Sequence, residues 1–488
     1  MKAPSIKENY LYRTFYEVLA IITPLITAPY IARVLGADQI GTHSYMASIM
    51  SYFTLVAALG TSVYGKREIS MNRDDRPRMS KLFWEIELMT VGVGLICLAG
   101  WIILALCWHE YTPYLFALTP SLIGCMLDIH WLFSGLEQQK YSVIRNTVCK
   151  LLGIAMVFTF IHDRDDLLLY MVMSTSITML GNLSMWTYLP KFLVKVDMRT
   201  LTFRTHLKET MIYFIPAAAT SIYTVLDKTL IGAITGNPFQ NGYYEQANKI
   251  VKIARTFVYA SVNSVMGARI GYLYAKGKFD EIRQRIDKTV SFILLTGVGS
   301  VFGIIGIAET FVPFFYGKGY EPVKLLLCVM APLVVIIGVS NALGNLYFTP
   351  CGKRKLSAKV IVLGAVVNLA MNLLMIPRYG AVGATVASII AELTITVFYV
   401  RLSAGYMTWS KLLRLIWKKL IAGAVMCALV RTFGALVPIR GAAQIISQIL
   451  LGVAVYGALL LAMRDEMTLQ MLGMAGNIVK KVRKRFAR

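Results

Sequence analysis

Charged residues are scarce in this sequence. Asp, Glu, Lys and Arg make up 16% of the 488 residues, whereas a soluble globular protein has about 25%. Hydrophobic residues make up 57%, and the mean hydropathy is +0.60. Windows of about 20 apolar residues, enough for a helix to cross a bilayer core of roughly 30 Å, recur along the whole chain. The composition therefore excludes a soluble globular domain and predicts a membrane protein.

Several motifs that carry chemistry are also missing. The seven cysteines have no paired spacing, and the five histidines form no His-x-x-x-His or His-Glu-x-x-His pair. Neither a disulfide framework nor a metal site is expected from such a pattern. No Gly-x-x-x-x-Gly-Lys-Ser/Thr or Gly-x-Gly-x-x-Gly loop appears, so direct drive by ATP is not expected. We expect no resident cofactor and no enzymatic activity.

Apolar windows predict an all-α polytopic membrane protein with about fourteen spans. The connections between the windows are too short to hold a soluble domain. The predicted spans are 11–35, 39–63, 82–108, 111–136, 141–162, 166–190, 209–234, 242–268, 289–315, 322–349, 357–377, 380–400, 412–434 and 441–463.

The formal net charge of +24 raises the question of nucleic-acid binding, which the positions of the charges answer. Lys and Arg gather in alternate loops, and the intervening loops carry few, with Arg164, Lys318, Arg378 and Arg440 as the exceptions. This is the positive-inside pattern for an even number of spans. It predicts that both termini are cytoplasmic and that the basic excess reflects topology, so nucleic acid is not expected as a partner.

Two stretches suggest an internal repeat. Gly41 to Ile49 reads GTHSYMASI, and Gly242 to Ile250 reads GYYEQANKI. The match aligns spans 1 and 2 with spans 7 and 8, which predicts two six-helix lobes in the same orientation. The alternative is that such turns recur by chance in polytopic proteins. The predicted organisation is an N-terminal lobe (1–190), a cytoplasmic linker (191–208), a C-terminal lobe (209–405), and helices 13 and 14 with a basic cytoplasmic tail (406–488).

Span 8 carries four charged residues inside the predicted membrane. Glu245, Lys249 and Lys252 fall within about 60° of one another on a helix, and Arg255 adjoins them. A charge at mid-bilayer costs at least about 2.5–3.5 kcal/mol on insertion scales, so these side chains should face water, a partner or the protein interior. Glu245 and Lys249 should also pair one turn apart. The alternative is that the span begins near Ile253 and that the charges lie at the outer interface.

Other ionisable residues lie in neighbouring spans. Asp227 and Lys228 are adjacent near the end of span 7. Asp227 is a candidate partner for a lysine of span 8 or for a coupling cation, and its alternative role is a structural ion pair. Asp128 in span 4 is a candidate partner for Lys150 in span 5.

The intramembrane charges are mostly basic and include Arg13 and Arg33 in span 1, whose alternative role is anchoring at the interfaces. A cavity lined by Lys and Arg is suited to an anion. Because Arg forks onto phosphate oxygens and Lys supplies a mobile charge, phosphate or pyrophosphate is the natural ligand class.

Several segments, in order along the chain, resemble one family. PLITAPYIARVLGADQIG (Pro24 to Gly41) with YGKREIS (Tyr64 to Ser70) is similar to the first hairpin of bacterial polysaccharide transporters, the Wzx-type flippases of the MOP superfamily. LDIHWLFSGLEQQKYSVIRN (Leu127 to Asn146) resembles their Asp-x-x-Trp-x-x-x-Gly-x-Glu segment. GYYEQANKIVKI resembles their span 8, and NLLMIPRYGAVGATVASIIAE (Asn372 to Glu392) their spans 11 and 12.

The resemblance implies fourteen helices in two pseudo-symmetric lobes around a cationic cavity. It implies alternating-access transfer of undecaprenyl-pyrophosphate-linked oligosaccharides to the outer leaflet of the bacterial plasma membrane, for capsule, O-antigen or exopolysaccharide assembly. Its implied partners are the lipid-linked oligosaccharide, bilayer lipids, a glycan polymerase and other polysaccharide-assembly proteins. The family's basic cavity residues carry over most directly to Lys249 and Lys252, then to Arg255 and Arg33.

We therefore expect Lys249, Lys252 and Arg255 to hold the pyrophosphate, with Lys228, Arg33 and Arg13 as further anion contacts. Glu245, Asp227 and Asp128 are the candidates for ion coupling or for orienting the lysines, and H⁺ and Na⁺ stay open as the coupling cation. The alternatives are a flippase for the peptidoglycan precursor lipid II, a related MOP exporter, and a membrane glycan polymerase or ligase. An enzyme of that last class would be expected to have a sizeable outward loop.

Overall fold

The computed structural model of the protein describes residues 6–437 and 439–473. Within these ranges most residues are helical and none forms a strand, as the sequence predicts. Side chains are described except at 6–14, 16–17, 21, 216–217, 219–220, 222–223 and 260–269.

The helices pack into two compact units, which meet in the chain at Gly242 and Tyr243. The predicted division into six-helix lobes on either side of 191–208 stays a prediction. The first unit contains α1 (Ile6–Ala58), α2 (Thr61–Asn72), α3 (Arg76–Cys107), α4 (Thr112–Met126), α5 (His130–Gly135), α6 (Gln139–Phe160), α7 (Leu167–Met185), α8 (Leu189–Phe192) and α9 (Arg204–Thr235). Short 3₁₀ turns lie at His109–Tyr111, Arg164–Asp166, Trp186–Tyr188 and Met198–Thr200.

The second unit contains most of α10 (Pro238–Ala275), which begins in the last residues of the first unit. It continues with α11 (Phe279–Phe315), α12 (Glu321–Met330), α13 (Leu333–Leu343), a π-helical turn (Gly344–Phe348), α14 (Arg354–Leu402), α15 (Trp409–Leu436) and α16 (Ala442–Ala462).

Two of the longest helices bend at a glycine where the sequence predicts a boundary between spans. Gly36 in α1 has φ 81° and ψ 168°, and Gly380 in α14 has φ 53° and ψ −129°. Glycine adopts a positive φ without the steric cost that a Cβ atom brings. Each of these helices therefore contains two predicted spans joined by a sharp kink.

Nine helical segments of the described ranges are long and apolar enough to cross a membrane, and the chain is a multi-pass membrane protein. The predicted spans in α9, α10 and α15 are not among the nine. In α9 and α10, charged residues within the helix lower the hydropathy. The count of fourteen spans and the cytoplasmic placement of both termini stay predictions.

The core of the first unit forms around Trp131, which is 2% exposed. Its ring stacks on Phe83 with centroids 5.4 Å apart. A Cβ atom on Gly65 would lie 2.5 Å from the Trp131 ring, and one on Gly135 would lie 2.8 Å from Ile69. The Trp and the Gly of the predicted Asp-x-x-Trp-x-x-x-Gly-x-Glu segment thus pack α5 against α2.

The first glycines of the two stretches aligned as a repeat pack against each other at the start of α10. Gly41 packs on the backbone of Pro238, and Gly242 packs on the backbone of Ala37. Ala37 and Gly41 are one helical turn apart, as are Pro238 and Gly242. The internal repeat stays a prediction.

Candidate functional site

One face of α10 packs into the second unit. Tyr244, Ala247 and Val251 are 6% exposed or less, and they follow one another at helical spacing. The Tyr316 hydroxyl donates to the carbonyl oxygen of Gln246 at 3.0 Å. This apolar face fixes the rotation of α10 about its axis, and so determines where its charged residues point.

The charged stripe lies on the other face of α10. The Lys249 Nζ and the Glu245 Oε1 are 3.9 Å apart, and their side chains are 35% and 16% exposed. The predicted pairing of these two residues one turn apart is thereby confirmed. Lys252 is exposed and Arg255 is half-buried. The structure therefore places Glu245, Lys249 and Lys252 on the more open face of α10, with the half-buried Arg255 between this face and the buried one.

Arg255 has polar neighbours within the second unit. Its guanidinium is close enough to Tyr259 to interact with the hydroxyl electrostatically, as is the carboxyl of Glu392 in α14. The Tyr259 hydroxyl donates to the carbonyl oxygen of Val334 at 2.7 Å, which holds the ring in place. Arg255 thus lies beside a fixed hydroxyl, one turn beyond the lysines.

The stripe carries three cations and one carboxylate, so it has a surplus of positive charge. An ion pair between partly exposed side chains contributes little to stability, about 1 kcal/mol or less. Lys249 can therefore exchange Glu245 for a stronger anion. A phosphate group supplies three acceptor oxygens and a higher charge than a carboxylate. The face can bind an anion without any chemical step.

Asp227 and Lys228 lie in α9, within the first unit. Asp227 is 6% exposed, and its carboxyl is near Tyr52 of α1. The Tyr52 and Thr229 hydroxyls are 3.0 Å apart, and the Thr229 hydroxyl donates to the Ser48 hydroxyl at 2.9 Å. Asp227 therefore adjoins a polar network between α1 and α9, whereas Lys228 is half-buried. A role as partner to a lysine of α10 stays a prediction.

The predicted site residues of span 1 are separated along α1. Arg33 is exposed, one turn before the kink at Gly36. The side chain of Arg13 lies outside the described residues.

Asp128 lies in the break between α4 and α5. Its Oδ1 accepts a hydrogen bond from the His130 backbone N–H at 3.1 Å, and it lies 3.5 Å from Nη1 of Arg145 in α6. Arg145 also donates to the side-chain oxygens of Asn146 and Asn182. Sequence analysis proposed Lys150 as the partner and assigned no role in the site to Arg145, which lies in the same predicted span. The signal that could have found it is its position in the first turns of a helix.

Lys150 lines a separate cavity of about 170 Å³ between α1, α6 and α7. The other polar lining residues include Thr23, Thr27 and Ser174, and the remaining lining is mainly apolar. The Thr27 and Ser174 hydroxyls donate to carbonyl oxygens of their own helices, at 3.0 Å in both cases. Lys150 is therefore the charged group of a largely apolar space.

The second unit contains a larger cavity of about 720 Å³ between α11, α15 and α16. Its lining is almost wholly apolar and includes Gly299 and Gly303 of α11, and Gly452 and Gly457 of α16. No charged side chain is part of this lining. A pyrophosphate group would find no counter-ion there. Among the described residues, no three His, Cys, Asp or Glu side chains converge to hold a metal ion.

Comparison with known proteins identifies a matching family and proteins with a similar fold. Residues 6–268 match the model of a family described as polysaccharide biosynthesis protein. A protein of Escherichia coli (strain K12) named for O-antigen transport is 21% identical over 399 residues, covering 80% of this chain and 95% of that protein. One of Shigella dysenteriae, also named for O-antigen transport, is 24% identical over 405 residues, covering 81% and 99%.

Two solved structures share the fold. The lipid II flippase MurJ in an inward closed conformation has a TM-score of 0.70 at 14% identity, covering 93% of this chain and 99% of its own. An inward-facing multidrug resistance transporter of the MATE family, MOP superfamily, has a TM-score of 0.61 at 11% identity, covering 86% and 96%. At these identities the likeness shows the fold alone.

Proposed function

The chain belongs to the polysaccharide biosynthesis protein family, and we propose that it is a flippase that transfers undecaprenyl-pyrophosphate-linked oligosaccharides from the cytoplasmic to the outer leaflet. The family match covers more than half of the chain. The relatives named for O-antigen transport align over 95% and 99% of their own lengths. A protein of Haloferax volcanii named as a low-salt glycan biosynthesis flippase aligns over 48% of this chain. These relatives are transporters and flippases, which favours transfer over catalysis.

The observation that carries the proposal is the cationic open face of α10. Lys249 and Lys252 share this face with one acid, and the half-buried Arg255 adjoins them, while the opposite face holds the helix in the second unit. A lipid-linked oligosaccharide has an uncharged tail, a polar glycan and an anionic pyrophosphate. The pyrophosphate is the part whose passage through a bilayer needs counter-charges, because an unpaired charge at mid-bilayer is costly.

Each candidate residue has a role in this proposal. Lys249 and Lys252 hold the pyrophosphate, and Arg255 adds a forked contact. Glu245 orients Lys249 while the site is empty of substrate. The further anion contacts are Lys228, Arg33 and Arg13, and the candidates for coupling to a proton or another cation are Asp227 and Asp128.

The protein works by alternating access in the bacterial plasma membrane. The anion site opens first to the cytoplasm and then outward, and the lipid tail stays in the bilayer. A glycan polymerase and other polysaccharide-assembly proteins receive the transferred substrate. The protein carries out no covalent chemistry.

Transfer of lipid II is the second candidate function. The observation that favours it is the fold shared with the lipid II flippase MurJ at a TM-score of 0.70. Lipid II carries the same pyrophosphate on its lipid, so an anion site on α10 would serve both substrates. The glycan therefore has to distinguish the two functions.

The test is transfer in proteoliposomes, using undecaprenyl-pyrophosphate oligosaccharide and lipid II as separate donors. The wild-type chain is compared with the double change Lys249→Ala and Lys252→Ala at matched insertion. The matched control is Lys355→Ala with Lys359→Ala, which removes two exposed lysines one turn apart on α14. We expect the wild type and the control to move the oligosaccharide donor and the α10 variant to lose transfer. Transfer by the α10 variant at the wild-type rate would show that the anion site does not lie on α10. Preference for lipid II would favour the second function.

A further inference from the structure

Three buried side chains form a continuous hydrogen-bonded chain in the first unit. The Tyr64 hydroxyl of α2 lies 2.7 Å from Nδ1 of His206 in α9. Nε2 of His206 lies 3.0 Å from Oε2 of Glu85 in α3. Tyr64 and Glu85 are 3% exposed, and His206 is 6% exposed. Sequence reasoning found none of the three, because they come from separate helices.

Glu85 connects this chain to the segment that precedes α9. Its Oε1 accepts hydrogen bonds from the Thr202 backbone N–H at 2.8 Å and from the Thr202 hydroxyl at 3.0 Å. Lys81 approaches the same oxygen at 3.9 Å. Further along the segment, the Val194 backbone N–H donates to the Ser80 hydroxyl at 2.9 Å. Residues 193–203 are thus tied to α3 near both ends.

The partners determine which ring nitrogen of His206 carries the proton. A carboxylate has only acceptors to offer. Oε1 of Glu85 receives two donors from Thr202 and lies 3.9 Å from Lys81 Nζ, so we assign a carboxylate, to which Nε2 of His206 donates. Nδ1 of the neutral ring then accepts from the Tyr64 hydroxyl. In this arrangement each hydrogen bond between Tyr64, His206 and Glu85 has one donor and one acceptor, as buried polar groups require.

The start of α9 is also packed against α2 by shape. A Cβ atom on Gly60 would lie 2.9 Å from the Phe214 backbone nitrogen. The Tyr64 and Tyr213 rings are 6.0 Å apart between centroids. His206 therefore stands where the linker segment 193–203, α2, α3 and α9 converge. The other charged groups that act on Tyr64 are Arg67, Glu68 and Glu209.

We propose that His206 is a positioning residue of the transporter. Its two ring nitrogens hold the start of α9 and the segment 193–203 against α2 and α3. α9 runs from Arg204 to Thr235, so its start belongs to the same helix as Asp227 and Lys228. The transport role of His206 rests on the proposed function, whereas its ring state and its hold on the segment do not.

The first arm of the test reads the ring state of His206 without transport. The chain has five histidines, so ring-¹⁵N labelling yields few signals, and the set lost in His206→Gln belongs to His206. We expect the neutral ring with its proton on Nε2, unlike the exposed His109. A proton on Nδ1, or an averaged signal like that of His109, would overturn the assignment.

The second arm measures hydrogen exchange in residues 193–207 and donor transfer in proteoliposomes. The variants are His206→Leu, which removes both bonds, His206→Gln, which keeps a donor and an acceptor, and Tyr64→Phe. The control is His109→Leu, a change at an exposed histidine. His206→Leu removes the donor to Oε2 of Glu85 and the partner of the Tyr64 hydroxyl, so we expect its maximal transfer rate to fall about tenfold. The half-saturating donor concentration should stay within about twofold, because the substrate contacts are intact.

We expect exchange in 193–207 to accelerate in His206→Leu and in Tyr64→Phe, and His206→Gln to retain most of the transfer rate. If His206→Leu does not fold, Tyr64→Phe and His206→Gln still carry the comparison. Unchanged exchange in Tyr64→Phe, or a rate loss as large in His206→Gln as in His206→Leu, would overturn the positioning role. A normal ring state and slow exchange in a chain that transfers no donor would instead count against the proposed function.

Discussion

Gly41 and Gly242 each occupy the space where a side chain would meet the backbone of the other's helix. A Cβ atom on Gly41 would lie 1.7 Å from the carbonyl oxygen of Pro238, and one on Gly242 would lie 1.9 Å from that of Ala37. The two residues occupy equivalent positions in the aligned stretches of sequence. Because each glycine faces the residue one turn before the other, the contact is reciprocal.

Substitution at this crossing should separate the two helices. Gly41→Ala places a methyl group on a backbone oxygen, which cannot rotate away as a side chain can. Overpacking of this kind typically costs about 1–3 kcal/mol, occasionally more, so we expect a lower melting temperature in detergent. The control is Gly92→Ala in α3, where a Cβ atom would meet nothing within 4 Å. Equal melting temperatures for the two variants would contradict the close crossing.

The cationic face of α10 predicts a dependence on the sign of charge at position 252. Lys252→Arg keeps the charge and should leave transfer within about threefold of the wild type. Lys252→Glu reverses it and should lower transfer by more than about tenfold, because the pyrophosphate then meets a like charge. The measurement is initial transfer rate in proteoliposomes, with Lys355→Glu on α14 as the control. Similar rates for Lys252→Arg and Lys252→Glu would rule out an anion contact there.

Burial should determine the contribution of Arg145 to stability. Arg145 and Asp128 are 3.5 Å apart with side chains 12% and 37% exposed, whereas Arg73 and Glu137 are also 3.5 Å apart but 45% and 57% exposed. Arg145→Ala also removes the hydrogen bonds to Asn146 and Asn182, so we expect a loss of about 1.5–3 kcal/mol.

Arg73→Ala is the control, and an exposed pair contributes about 0–1 kcal/mol. Denaturant unfolding in detergent gives both values. The double change Arg145→Ala with Asp128→Ala then measures the pair itself. A cost for Arg73→Ala equal to that for Arg145→Ala would mean that burial does not distinguish the two pairs.

The buried ion pair between Lys419 of α15 and Asp465, which follows α16, should make the free energy of unfolding depend on pH. Lys419 donates to Asp465 Oδ1 at 2.6 Å, with side chains 1% and 6% exposed. Burial raises the pKa of Asp465, but the bonds from Lys419 and Thr468 outweigh it and hold the pKa below its ordinary value of 3.8. The unfolded chain therefore binds a proton before the folded chain as the pH falls.

The contribution of Asp465 to the free energy of unfolding is complete above the pKa of the group in the unfolded chain, about 3.9. It is lost as the pH falls through the lower pKa in the folded chain. Asp465→Asn leaves Lys419 buried without its counter-charge, so we expect a loss of about 3–5 kcal/mol at neutral pH that shrinks in acid. Melting temperatures between pH 7 and pH 3 test this, with Asp280→Asn, an exposed change at the start of α11, as the control. A difference between Asp465→Asn and the wild type that does not shrink in acid would contradict the linkage.

Local periodicity accounts for the parts of the site that the sequence predicts. The charged stripe of α10 follows from helical spacing alone, and the Glu245–Lys249 pair needs only one turn of helix. The kinks at Gly36 and Gly380 fall at predicted span boundaries, because a bilayer limits the length of a straight span.

The partner of Asp128 could not be predicted from local sequence. Arg145 and Lys150 both lie on α6, about 140° apart around its axis. Either could reach α4 in a sequence-based argument, and only the packing of α6 decides that Arg145 faces the break after α4. The same limit applies to Tyr64, Glu85 and His206, whose chain joins three helices.

The sequence by itself determined that this protein is an all-helical, multi-pass membrane protein, because composition and periodicity are set by contact with lipid. Its polysaccharide-transport type was implied by the resemblance of four segments to one family. Tertiary structure alone decided which side chains of different helices meet: Arg145 with Asp128, His206 with Tyr64 and Glu85, and Gly41 with the backbone at Pro238. The physical reason is that helix formation is local, whereas the rotation and crossing of each helix depend on the side chains that its neighbours present.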